Sequence, residues 1–284
     1  MNEILLFRTV DQMQSTSLRW RREGVRIGLV PTMGALHEGH LSLIDLVRPH
    51  CDRLVVSVFV NPTQFGPAED FDRYPRDLDR DMALLGDRGA DAVFAPEVRE
   101  VYPAGHATFV EVEGLSSVYE GAVRLGHFRG VCTIVAKLYN IVLPDVAAFG
   151  QKDAQQAAVL RKLTRDLHFP IKFLLGPTVR EPDGLAMSSR NSYLKADERP
   201  KATVLFRALK AAEASIRAGE RHGDKVREAM RKVIDQVPEF KPDYSDIVWP
   251  ESFEQVDEVR GHVLAIVAGR IGSVRLIDNL PVTV

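Results

Sequence analysis

Apolar positions follow two alternating rhythms through roughly the first 175 residues. Mainly apolar or β-branched runs of strand length fall at residues 26–31, 53–60, 91–95, 146–150 and 171–175. Between them, residues 39–49, 77–89, 130–143 and 153–169 carry apolar side chains at helical spacing, as in Leu43, Ile44 and Val47 or Leu78, Met82 and Leu85. Strands without polar alternation are buried on both faces, so the pattern predicts a parallel sheet covered by helices. A long polar loop, residues 61–76, interrupts the series and has the length of a lid.

Beyond residues 177–184 the order changes. Two helices are expected at 199–219 and 224–237, followed by strands at 243–249, 262–268 and 274–278. Helices grouped first and strands afterwards describe a separate α+β unit. The expected fold is α/β: a Rossmann-like parallel-sheet N-terminal domain, residues 1–178, with a smaller α+β C-terminal domain, residues 179–284. The boundary is expected between 176 and 190. No internal repeat or low-complexity tract is visible.

Composition alters this picture little. The 284 residues are 45% hydrophobic and 27% charged, which is ordinary for a globular protein. A net charge of -2 argues against a protein that grips nucleic-acid backbones, so no nucleic-acid partner is expected. The N-terminus has no basic segment ahead of an apolar one, and the strongest apolar runs, 54–60 and 263–268, are too short to span a bilayer. A cytoplasmic protein without a membrane partner is expected. Cys51 and Cys132 form no CxxC or paired framework and read as reduced, buried residues.

Candidate chemistry gathers where strands end. The segment from Pro31 to His40, PTMGALHEGH, joins a strand to a helix, and ligands in open α/β sheets bind outside the carboxyl ends of strands. Gly34 and Gly39 would allow close backbone approach and unusual φ values. His37 and His40 lie three residues apart on the first helical turn, where imidazole donors and the positive end of the helix suit phosphate. Walker A and GxGxxG patterns are both missing from the sequence, which disfavours a P-loop kinase and a Rossmann dehydrogenase.

Three further clusters are weaker alone. Gly150, Gln151, Lys152, Asp153 and Gln156 again follow a strand; Lys152 could neutralise phosphate and Asp153 accept from ribose hydroxyls, but a capped helix start explains them equally well. Met187, Ser188, Ser189 and Arg190 could clamp a departing pyrophosphate or form a generic polar turn. Asn61 and Gln64 offer neutral amides for a hydroxyl or carboxylate. The acids that follow, Glu69, Asp70, Asp72, Asp77, Asp79 and Asp81, read as solvated or capping residues more readily than as metal ligands, so the metal ligands are unknown. His127, in the cationic segment 124–130, carries more weight than the remaining histidines.

Taken together these stretches resemble the pantoate–β-alanine ligase (pantothenate synthetase) family, within the nucleotidylyltransferase superfamily that has the HxGH signature. The matching segments are PTMGALHEGH at 31–40, VNPTQFG at 60–66, GHFRGV at 126–131, FGQKDAQQ at 149–156, MSSRNSYL at 187–194 and RLIDN at 275–279, in family order. Leu125 departs from the proline usual in the family before Gly-His-Phe, which bears on loop rigidity. The resemblance implies Mg2+-dependent attack of pantoate on ATP, giving pantoyl adenylate and pyrophosphate, then displacement of AMP by β-alanine. It implies that Met33, Gly34, Ala35, Leu36, His37, Glu38, Gly39 and His40 line the ATP site, with His40 the proton donor and His37 a phosphate partner. Gly150, Gln151, Lys152, Asp153, Val179, Met187, Ser188, Ser189 and Arg190 would complete that site, Lys152 and Arg190 acting on phosphoryl charge. Gln64 and Gln156 would bind pantoate, with Gln64 also facing β-alanine. A homodimer, and a C-terminal domain serving as lid and part of the nucleotide site, follow from the same resemblance. Two other readings stay open on the residues: an adenylyl- or cytidylyltransferase releasing a nucleotide-linked product, and a nucleotide-binding module without catalysis.

Overall fold

The computed structural model describes residues 4–67 and 69–284. The chain divides into two compact units: one runs up to Gly150 and resumes over Val159–Gly176, the other holds Gln151–Ala158 and Pro177–Val284.

In the first unit the strands are β1 (Leu5–Phe7), β2 (Ile27–Thr32), β3 (Arg53–Val58), β4 (Ala92–Phe94), β5 (Val146–Gly150) and β6 (Lys172–Gly176). Its helices are α1 (Val10–Arg22), α2 (Glu38–Val47), α3 (Leu78–Asp87), the single turns α4 (Val98–Val101) and α5 (Glu120–Val123), and α6 (His127–Val142). Helix α7 (Ala154–Asp166) continues the chain after β5. The six strands pair in the order β1-β4-β3-β2-β5-β6, every pair parallel. This is the expected parallel α/β sheet. Ile27, Leu29 and Val30 of β2 are all fully buried, as a strand covered on both faces requires. Leu41, Ile44 and Val47 of α2 and Leu85 of α3 share one core with Val30, Val56 and Val93.

Strand order reverses between β2 and β5: from β2 the chain steps out through β3 to β4, and from β5 it steps the other way to β6. The carboxyl ends of β2 and β5 therefore flank the topological switch point, the usual ligand crevice of such sheets. Helix α1 was not expected from the apolar pattern, because its exposed faces leave only Met13, Thr16, Ser17 and Trp20 buried. Its start is nonetheless written locally: Thr9 and Gln12 form a capping box.

The second unit holds α8 (Val204–Arg217), α9 (Gly223–Ile234) and the antiparallel sheet β7 (Phe240–Val248), β8 (His262–Ile271), β9 (Val274–Thr283). These strands are longer than the apolar runs foretold. Pro242 and Pro281 read as breakers, but both sit on edge strands, where no ladder N–H is needed, and β7 has a register shift at Pro242. Ala208, Leu209 and Ala212 of α8 and Val226 and Met230 of α9 pack with Ala265 and Val267 of β8 in the core of this unit.

Candidate active site

The turn after β2 is built by backbone and carboxylate together. Gly34 (φ 82°) and Ala35 (φ 50°) are consecutive left-handed residues. For an alanine that conformation costs roughly 1 kcal/mol or more, so something must hold it. Asp81, in the first turn of α3, does so: its Oδ2 accepts from the Ala35 N–H and its Oδ1 from the Leu36 N–H, each at 2.9 Å. Thr32 Oγ1 accepts from the Gly34 N–H at 3.2 Å and donates to the Ser57 carbonyl at 2.7 Å. Of the acids read as solvated or capping, Asp77 does cap α3, whereas Asp81 is buried and bonded to the turn. Gly39 is also corrected: it lies in the first turn of α2 and is not among the left-handed glycines.

His37 is the N-cap of α2, and the two imidazoles lie against each other with ring centroids 4.1 Å apart. The Gly39 N–H donates to His37 Nδ1 at 3.1 Å, and the His37 N–H donates to His40 Nδ1 at 3.4 Å. A ring nitrogen that accepts an N–H carries no proton, so this network assigns both neutral rings to the Nε2–H tautomer. Nε2–H groups at the positive end of a helix have the chemistry that suits an anion. The neighbours differ in role: Leu36 is buried in the core, while Glu38 turns outward to pair with Arg88.

Gln64 is set by α6 and by the β3 loop. Its Nε2 donates to Met33 Sδ at 3.0 Å and its Oε1 accepts from Asn61 Nδ2 at 3.1 Å. Asn61 is buried; its Nδ2 also donates to the Gly130 carbonyl, and its Oδ1 accepts from Thr63 Oγ1 and Tyr102 Oη, both at 2.9 Å. Close below lies His127. The guanidinium of Arg124 donates to its Nε2 at 3.0 Å, so Nδ1 carries the proton and donates to the Gln64 carbonyl at 2.9 Å. Burial, helped by the Arg124 charge, pushes the His127 pKa down to about 4, and the ring is neutral. Arg124 also grips both oxygens of Glu69 at 2.7 Å; although burial alone would raise that carboxyl, the bidentate pair holds it below its ordinary range. The loop following Gln64 is therefore tied to the start of α6. Leu125, between Arg124 and Gly126, is 86% exposed.

The other candidates lie in the second unit, except Gly150, which ends β5. Gln151, Lys152 and Asp153 form a 3-10 turn before α7, with Lys152 Nζ 3.4 Å from Asp153 Oδ1. Asn279 of β9 fixes the turn from behind: its Nδ2 donates to the carbonyls of Gln151 and Lys152 at 2.9 and 2.8 Å, and Gln151 Nε2 donates back to Asn279 Oδ1 at 2.9 Å. The preceding residue, Asp278, forms a two-pronged pair with Arg180, at 2.6 and 3.0 Å. Arg180 stands in a tight hairpin in which the Met187 N–H bonds to the Val179 carbonyl at 3.0 Å. Ser188 then caps the 3-10 helix Ser189–Tyr193, its Oγ accepting from the Arg190 N–H. Strand β9 therefore braces both the Lys152 turn and the hairpin leading to Arg190. Asp278, Asn279 and Asp81 carried no role in the sequence; the first two fall in the RLIDN match, and Asp81 has no such signal. Gln156 is half-buried on α7.

A doubly wound parallel sheet with an imidazole pair at its switch point, in one chain with a unit bearing a Lys-Asp turn and a Ser-Ser-Arg turn, defines an α/β enzyme of the HxGH class. The chain belongs to the pantoate–β-alanine ligase family, whose model matches residues 5–281. It is 57% identical over 253 residues to the pantothenate synthetase of Roseiflexus castenholzii, covering 89% of this chain and 91% of that one. The crystal structure of pantothenate synthetase from Thermus thermophilus superposes with a TM-score of 0.94 at 48% identity, covering 98% and 99% of the two chains. That of the pantoate–β-alanine ligase from Francisella tularensis, complexed with βγ ATP and β-alanine, gives 0.80 at 31%, covering 98% and 97%. This chain is accordingly a ligase that joins pantoate to β-alanine.

Proposed function

We propose that the ligation runs through an acyl adenylate made from ATP. A pantoate carboxylate oxygen attacks the α-phosphorus and pyrophosphate leaves; the β-alanine amine then attacks the acyl carbon, AMP leaves, and the amine gives up its proton. The observation that carries this reading is the paired His37 and His40 rings at the head of α2, each with Nδ1 accepting a backbone N–H. Imidazole N–H donors stabilise charge that grows on phosphoryl oxygens as the pyrophosphate departs. The ATP analogue and β-alanine bound by the Francisella tularensis ligase support the same substrates here.

In this reading His40 is the proton donor and His37 its phosphate partner, with the backbone from Met33 to His40 along the nucleotide. Gly150, Gln151, Lys152 and Asp153 handle ribose and phosphate; Val179, Met187, Ser188, Ser189 and Arg190 complete the nucleotide contacts, Lys152 and Arg190 neutralising phosphoryl charge. Gln64 and Gln156 hold pantoate, and Gln64 faces the incoming β-alanine. A neutral amide suits this because it binds hydroxyl and carboxylate without trapping the anion as a fixed ion pair. Among the described residues no group of three or more His, Cys, Asp or Glu is arranged for a metal, and Asp81 and Glu69 are already engaged by backbone and Arg124. Mg2+ would enter as Mg-ATP, held by the phosphates. We also assign a homodimer and a cytoplasmic location; among the described residues no helix is long and apolar enough to cross a membrane.

The test is AMP release from Mg-ATP, pantoate and β-alanine, with single omissions. Pyrophosphate release with no AMP in the complete mixture would instead mark a nucleotidyltransferase that stops at the adenylate, and AMP release indifferent to β-alanine would show that the amine is not the acceptor. His40→Ala is expected to slow adenylation by roughly 10²-fold, the scale of losing one charge-stabilising donor. Near-normal rates in the folded variant would remove His40 from that role.

A further inference from the structure

Neighbouring backbone N–H groups of a tight turn that converge on one point make a small concave anion site. In the turn after β2 that point is filled by the chain itself. Asp81 brings one carboxylate oxygen to the Ala35 N–H and the other to the Leu36 N–H, at 2.9 Å each. The fit is close: a Cβ on Gly34 would stand 2.9 Å from Asp81 Oδ2 and 3.0 Å from Val58. Leu36 leads directly into His37, the N-cap of α2, whose own N–H is the donor to His40 Nδ1. A carboxylate placed on Leu36 N–H is thus one residue away from the cap that sets both imidazole tautomers.

Burial works against a charge at this place. Asp81 is 1% exposed, and burial raises its carboxyl pKa despite the two backbone N–H groups that lower it. The other charges facing it belong to α3 and its cap: Arg80, whose Nη1 is 3.9 Å from Oδ1 with the side chain largely exposed, and Asp77, which acts to raise it. A group with a raised folded pKa favours folding most at low pH, and that contribution is lost as the group ionises.

Building on the adenylating role of the imidazole pair, we propose that Asp81 is a positioning residue for the reaction: its carboxylate holds the Gly34–Leu36 turn and thereby fixes His37 and His40 as Nε2–H donors. It also closes the turn's own anion site, so that substrate phosphate is met by the imidazoles and the start of α2.

Asp81→Asn keeps shape but replaces one acceptor oxygen with a donor facing a backbone N–H. Two measurements are made on the full chain: pantoate-dependent ATP–pyrophosphate exchange, and two-bond proton–nitrogen NMR spectra of the histidine rings. Exchange kcat is expected to fall about tenfold or more, equivalent to about 1.4 kcal/mol, with the pantoate KM within about twofold of wild type. Resonances of His37 and His40, assigned by single replacement, are expected to change from a fixed Nε2–H pattern to an averaged one. A folded variant with wild-type kcat, or with unchanged tautomers, overturns the proposal. Should Asp81→Asn fail to fold, Asp81→Glu retains the charge but displaces it by one methylene and is expected to show the same two changes. Failure of both to fold would mark a purely structural acid and overturn it as well. Were wild type itself to lack pantoate-dependent exchange, the adenylate reading would fall, while the tautomer spectra would still judge the positioning role.

Discussion

Gly130 lies inside α6, where its φ is ordinary, so space and not conformational freedom is what a side chain there would disturb. A Cβ at this position would stand 2.3 Å from the Thr63 carbonyl oxygen, 2.5 Å from the Thr63 carbonyl carbon and 2.7 Å from the Gln64 nitrogen. Ordinary contact requires about 3.5 Å, so in Gly130→Ala the Thr63–Gln64 backbone must retreat by about 1 Å. That movement stretches the 3.1 Å bond from Asn61 Nδ2 to the Gly130 carbonyl and drags the Gln64 amide with it. Overpacking costs about 1–3 kcal/mol, partly offset by the better helix propensity of alanine, roughly 1 kcal/mol. The melting temperature should therefore fall by only a few degrees, at about 2–4 °C per kcal/mol. The kinetic effect should be larger if Gln64 holds pantoate as proposed, because misplacing such a group by about 1 Å costs up to about 10²-fold. Steady-state kinetics should show kcat/KM for pantoate reduced by about 10- to 100-fold, with a much smaller change in the KM for ATP. Gly86→Ala, on α3 with nothing within 4 Å of the added atom, is the matched control and should be silent. A folded Gly130→Ala with normal pantoate kinetics would show that the close approach of α6 does not place Gln64.

His127 gives the fold a pH dependence. Its folded pKa of about 4 lies below the ordinary 6.5, so the unfolded chain binds more protons between these values and stability should fall as pH drops through that window. The loss should approach roughly 3 kcal/mol below the folded pKa, and denaturant titrations of His127→Gln should show a flatter acid limb; an unchanged limb would assign the acid sensitivity elsewhere. Asn279→Ala removes three hydrogen bonds, two of them to the Gln151 and Lys152 carbonyls. It should cost about 1–3 kcal/mol and raise the KM for ATP about tenfold, whereas a stability loss with unchanged ATP kinetics would separate the brace from nucleotide binding.

The parallel sheet was legible because its strands are buried on both faces and so appear as mainly apolar runs, with Ile27, Leu29 and Val30 a clear instance. His37 and His40 were legible for a related reason: their spacing of three is itself the geometry of a helix cap, so the contact is written in four consecutive residues. Helix α1 was missed because its buried stripe mixes Met13 and Trp20 with Thr16 and Ser17, although the Thr9–Gln12 capping box marked its start. Strand β7 begins before the expected 243 and β9 runs past the expected 278; Pro242 and Pro281 are accommodated there because both strands are edges, which topology decides.

What stayed hidden is the set of groups that aim the donors. Asp81 lies among several acids before and within one helix, and Asp77, the true cap, carries the same local signal. Only the packing of α3 beside β2 and β3 separates them, by bringing Asp81 to N–H groups more than forty residues earlier in the chain. Asn279 likewise reaches back across more than a hundred residues to the Lys152 turn. In both cases a buried acceptor or donor far away in sequence satisfies backbone groups that a tight turn leaves without a ladder partner. Such groups must be paired wherever they are buried. A turn that presents side chains to a ligand spends its own backbone hydrogen bonds on unusual conformations, so its support has to come from elsewhere in the fold. Donor residues of a site are therefore readable from local spacing, while the residues that orient them become visible only when every backbone N–H and carbonyl of the turn is traced to its partner.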